Sequence, residues 1–109
     1  MEIQGTLTEL SDRNAKERIE ALDGGQILDR IAGIPVTEWS YSDTPEARHA
    51  GPMAQDFYAA FALGKDERHI SARDMAGVNM AAIQELTRQN ASLKRELDEL
   101  KALLSALKN

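Results

Sequence analysis

Apolar and polar positions alternate in two different rhythms along this chain, and the clearer one occupies its C-terminal end. Ile83, Asn90, Leu97 and Leu104 fall at position a of a heptad, and Leu86, Leu93, Leu100 and Leu107 fall at position d. That 4-3 spacing predicts a long helix whose apolar seam is buried by other helices of the same kind. Asn90 at a is a register device, tolerated when it pairs with its own copies, and it is compatible with dimers and trimers alike. Leu103 at g widens the stripe beyond a strict a/d seam, which favours three strands over two. Glu96 at g and Lys101 at the following e can pair between parallel chains, although an exposed pair contributes little energy. Packing of this helix on its own globular part is the competing explanation of the stripe.

Upstream, the rhythm changes several times. Residues 1–10 alternate weakly, with Ile3, Gly5 and Leu7 on one side, and read as the end of an upstream β-rich segment. From Ser11 the spacing of Ala15, Ile19 and Leu22 predicts a helix capped by Ser11 and stopped at Gly24-Gly25. A second helix is expected from Gln26 to Ala32, ending at Gly33 ahead of Pro35. Val36 to Tyr41 alternates as a strand, with Thr37, Trp39 and Tyr41 on one face, and Ser42-Asp43-Thr44-Pro45 is a turn signal. After a polar stretch, Pro52 can sit in the first turn of a helix carrying Phe57, Ala60 and Phe61, with Gly64 as its stop. Ser71-Ala72-Arg73-Asp74 has the form of a capping box, and it places the start of the final helix between Asp74 and Val78.

Composition narrows what such a chain can do. With 109 residues and a helix taking roughly the last thirty, only about seventy remain for a core, near the lower limit for independent folding. Association is the natural source of the missing burial. Charged residues make up 28% and hydrophobic ones 42%, and no apolar run approaches the length of a membrane span. A net charge of −5 argues against sequence-independent attraction to nucleic acid or anionic lipid, so neither is an expected partner. The first residues lack the basic and apolar regions of a secretory signal. Without cysteine there is no disulfide framework, no thiol catalysis and no cysteine-ligated zinc.

Candidate chemistry is sparse. His49 and His69 are far apart and lack metal-spaced partners, so no metal site is expected and both read as hydrogen-bonding residues at the core edge. Trp39, Tyr41, Phe57 and Phe61 are expected to build the core, with Met53 and Met80 beside them. No phosphate loop or dinucleotide fingerprint is present, and no cofactor is expected. Ser11 and Lys16 remain as a nucleophile and its base, because a neutral lysine can activate a serine hydroxyl. Residues five apart on one α-helix point about 140° away from each other, so the pair can meet only if Ser11 lies off the helix or meets a lysine of another subunit. The commonplace alternative is Ser11 as a helix cap and Lys16 as a solvated side chain.

Read together, Ser11-Asp12-Arg13-Asn14-Ala15-Lys16-Glu17, Ile27-Leu28-Asp29-Arg30-Ile31, Pro35-Val36-Thr37-Glu38-Trp39-Ser40-Tyr41 and Arg48-His49-Ala50-Gly51-Pro52-Met53-Ala54-Gln55-Asp56-Phe57 resemble the C-terminal intramolecular chaperone domain of phage endosialidases, tail fibres and tailspikes. His69-Ile70-Ser71 and Gly77 to Gln84 extend the resemblance into the last helix. It implies a homotrimer that brings the upstream β-helical stalk of its own precursor into register and then cuts itself off. Ser11 and Lys16 match the proposed dyad of that family, and the cut is associated with the Ser11-Asp12 junction. The bond before Ser11 and the bond after it both stay open. Asn14-Ala15 stands where the family usually has a basic-apolar pair, a departure that leaves the dyad intact.

The resulting expectation is an α+β fold, mainly α, with a small globular part of helices and short strands followed by a long helix in a parallel trimeric coiled coil. Residues 1–10 are the end of the β-stalk, 11–74 the globular chaperone part, and 75–109 the trimerisation helix. The implied partners are two further copies of the chain and the stalk, and the implied setting is the host cytoplasm during virion assembly. A trimerisation module that never cleaves is the alternative. An enzyme acting on solutes would require convergent polar groups in a pocket, and the sequence shows none.

Overall fold

A computed structural model describes residues 8–108. Its order is a 3-10 turn Arg13–Ala15, α1 Gly24–Gly33, β1 Thr37–Tyr41, β2 Thr44–Gly51, α2 Ala54–Phe61 and α3 Ala72–Leu107. The architecture is the expected one: a small part of helices and a short antiparallel pair, then a long C-terminal helix. At 36 residues, α3 runs about 54 Å, most of the 71 Å long dimension of the chain. No described helix is long and apolar enough to cross a membrane.

The first predicted helix does not form. Residues 16–23 are irregular, and helical geometry is confined to the 3-10 turn. A short helix survives by burying an apolar face, and Ile19 and Leu22 find no such surface, remaining 70% and 55% exposed. Arg18 also takes a left-handed conformation, with φ of 51°, which interrupts any helical run. Gly24 and Gly25 accordingly begin α1 instead of stopping an earlier helix. Asp23 caps α1 by accepting from the Gln26 amide at 3.1 Å. Glycine is needed at the α1 entry, because a Cβ on Gly24 would lie 3.0 Å from Glu85 Cβ of α3.

The polar stretch after the turn is a strand. Glu38 faces Ala50 and Trp39 faces His49 across the hairpin, and the register shifts between Trp39 and Tyr41. Arg48 donates to Glu38 at 3.0 Å and to Ser40 at 3.2 Å, a polar cross-strand set that offsets the low strand propensity of Glu46, Ala47 and Arg48. Pro45 is tolerated because a two-stranded ribbon consists only of edges. The opposite face carries Trp39, Tyr41 and His49, with ring centroids 4.9 to 5.4 Å apart.

Helix α3 begins at Ala72, earlier than the Asp74 to Val78 start the spacing suggested. Ser71 Oγ accepts from the Arg73 and Asp74 amides, so capping operates two residues sooner than the apolar periodicity becomes visible. Helix α2 starts after Pro52, and it ends at Ala62, which is left-handed at φ 52°, ahead of Gly64. Among the described residues the buried core is Ile27, Phe57, Val78 and Ala82, flanked by Leu28, Ile31, Phe61 and Met75. Phe57 and Phe61 therefore belong to the core, as expected. Tyr41, Met53 and Met80 do not, being 57%, 41% and 63% exposed, and Trp39 is half-buried on the hairpin. The hairpin that carries Trp39 and Tyr41 packs on itself, outside the centre formed by Ile27, Phe57, Val78 and Ala82.

Candidate functional site: the Ser11 and Lys16 pair

The arm formed by residues 8–23 carries the site. Asp12 Oδ1 accepts from the Asn14 amide at 3.0 Å, and the Ala15 amide donates to the Asp12 carbonyl at 3.0 Å, closing a single 3-10 turn. Extended backbone at Asp12 and at Lys16 leads out of both ends of that turn. Ser11 and Lys16 are thereby brought side by side, and Lys16 Nζ donates to Ser11 Oγ at 2.6 Å. The 140° separation applies only on one continuous α-helix, and here a 3-10 turn flanked by extended backbone takes its place. Asp12, not Ser11, takes the capping role, and this frees the serine hydroxyl for the lysine.

A second tie fixes the arm. Glu9, two residues before Ser11, accepts from Arg73 Nε in the first turn of α3. Nothing in sequence spacing links residues so far apart. Further along, Glu20, Ala21 and Leu22 line a hollow with Gly77, Met80, Ala81, Gln84 and Arg88 of α3. The arm thus lies along one side of α3.

Both members of the pair are exposed. A lysine serves as a base only when its neutral form is favoured by burial or by nearby cations. In the isolated chain the hydrogen bond is made while the work of removing water is not done. Neither histidine joins the pair. His49 packs on Trp39 and Tyr41, and His69, also exposed, bonds Asp66 at 2.9 Å, holding that carboxyl below its ordinary range. Both therefore lie away from the core edge, because their strand and loop project outward. Among the described residues no group of three acidic or histidine side chains could hold a metal ion.

On α3, Ile83, Leu86, Leu93, Leu97, Leu100, Leu104 and Leu107 are between 50% and 81% exposed, and Asn90 is exposed with them. This stripe is distinct from the face that α3 turns to its own domain. Val78 and Ala82, at c and g of the heptad, are buried against α1 and α2, whereas the a and d residues lie about 100° further round. Packing on the chain's own core therefore does not account for the heptad.

Residues 11–63 match the family model Peptidase_S74, described as chaperone of endosialidase. This segment belongs to that family. The match opens at Ser11 itself and spans the 3-10 turn, α1, the hairpin and α2, so it covers the elements that position Ser11 and Lys16. No curated protein matches the chain.

Proposed function

We propose that the chain is an intramolecular chaperone that joins three copies through α3, registers the β-stalk upstream of Ser11, and then releases itself by a single self-cleavage beside Ser11. The observation that carries this reading is the 2.6 Å contact between Lys16 Nζ and Ser11 Oγ, set by a turn inside the segment that matches the chaperone family. The exposed heptad supports association, since covering the part of each leucine still in water contributes on the order of 1 kcal/mol. Parallel stalk strands are non-local and slow to pair, and tethering three chains raises their effective concentration.

In the reacting state a neutral Lys16 amine accepts the Ser11 hydroxyl proton as Oγ attacks a backbone carbonyl carbon. Attack on the Leu10 carbonyl breaks the Leu10–Ser11 amide and forms an ester on Oγ, and the proton passes to the leaving Ser11 nitrogen. Water then hydrolyses the ester and leaves a carboxylate on Leu10. A cut after Ser11 instead requires a water placed by other groups. Either route ends covalent contact between stalk and chaperone. Loss of the template leaves the stalk kinetically trapped in its folded form, free of the assembly device.

The test is a fusion of this chain behind a β-stalk, followed by intact mass of wild type, Ser11→Ala and Lys16→Ala. Wild type is expected to yield two fragments whose masses identify the broken bond, and both variants to stay full length as trimers. Wild-type trimers that remain uncut would remove the protease part and leave a permanent trimerisation module. Monomers throughout would remove both.

A further inference from the structure

Helix α3 presents different surroundings on its two flanks. Continuing the heptad back toward its N-terminus puts Met75 at g and Asn79 at d, and puts Arg73 and Met80 at e. Met75 and Asn79 wall an apolar cleft of about 260 Å³, completed by Ile34, Val36, Phe57 and Phe61 among others. Val36 at its rim is 69% exposed. On the other flank, Arg73 and Met80 carry the arm, through the Glu9 ion pair and the hollow around Leu22. The arm displays Leu10, Ile19 and Leu22, which are 71%, 70% and 55% exposed. In a parallel coiled coil the g flank of one helix lies against the e flank of the next. At the axial level of residues 73–80, one copy's cleft therefore faces the next copy's arm.

We infer that the cleft between α1, α2 and α3 is the docking site for the arm of a neighbouring copy, which seats an apolar arm residue there and covers the neighbour's Ser11 and Lys16. The inference rests on the trimer reading above. It supplies the occupant that an open apolar cleft lacks, and it covers the apolar surface of Leu10, Ile19 and Leu22 that a single chain leaves in water. It also makes removal of water from the dyad a consequence of assembly: each copy is made competent by the copy beside it.

The natural absence of cysteine permits a direct test. Chains carrying Val36→Cys are refolded with chains carrying one of Leu10→Cys, Ile19→Cys or Leu22→Cys, the second chain bearing a mass tag. Mild oxidation is expected to give a disulfide between the two kinds of chain for at least one arm position. Trimers in which no arm position joins to residue 36 would overturn the docking while leaving the trimer intact. In the stalk fusion, Val36→Asp is expected to keep the trimer and slow self-cleavage at least tenfold. Cleavage at the wild-type rate in such trimers would overturn the coupling between docking and catalysis. If wild type is monomeric, the trimer reading itself fails and the docking fails with it.

Discussion

At the scale of single residues, the site depends on which side chain performs which local task. Asp12 closes the turn, and Lys16 is thereby placed against Ser11. Lys16→Arg keeps the charge and the reach but cannot lose its proton, so it is expected to abolish self-cleavage as completely as Lys16→Ala, read by intact mass. Asp12→Ala removes a cap of about 1 kcal/mol from the turn alone. Slower cleavage at unchanged trimer content is the expected result. Within α3, Glu85 accepts from Arg88 Nη2 at 2.7 Å and Nε at 3.0 Å, and these hydrogen bonds hold its carboxyl below the ordinary glutamate value. Because the folded value is the lower one, this contribution is present above the unfolded glutamate value and fades as pH falls through the folded value. Glu85→Gln removes this contribution, so denaturant melts are expected to show lower stability at neutral pH and a shallower loss of stability on acidification below about pH 4.3.

At the scale of elements, α3 has two jobs on two faces. Its first turns pack against α1 through Val78 and Ala82, and the remainder displays the a and d stripe. Leu97→Asp lies beyond the domain contacts, so it is expected to abolish trimers in sedimentation equilibrium while disturbing the intramolecular core only through loss of assembly. Gly24→Ala tests the other face. The Arg88 guanidinium can swing away from a new Cβ, but Glu85 Cβ at 3.0 Å cannot, so α1 must shift. A loss on the order of 1 to 3 kcal/mol is expected in denaturant melts. The hairpin shows a limit of pattern reading, since β2 pairs through Arg48 with Glu38 and Ser40, partners that exist only once the turn at Ser42-Asp43 has formed.

At the scale of the whole molecule, the four buried core side chains among the described residues are too few to hold a chain that leaves most of its described leucines in water. Stability should come from association, and it should rise with protein concentration by mass action. Thermal melts across a hundredfold dilution are expected to show a falling Tm, and a constant Tm would count against obligate assembly. Phe57→Ala, at about 3 to 5 kcal/mol, is a large fraction of a small domain's total stability and is expected to prevent folding at low concentration.

What the sequence determined by itself was written in short-range patterns. The heptad from Ile83 to Leu107, the apolar spacings of α1 and α2 and the strand at Thr37–Tyr41 all depend on neighbours a few positions away. Tertiary structure alone decided matters that depend on space. Whether Ile19 and Leu22 had a surface on which to form a helix depended on a core that closed without them, and that failure is what let a 3-10 turn bring Ser11 to Lys16. The tie from Glu9 to Arg73 and the exposure of Tyr41, Met53 and Met80 are likewise set by where distant segments pack. Local spacing states which residues can share a face, and only the packing of distant segments states what that face meets.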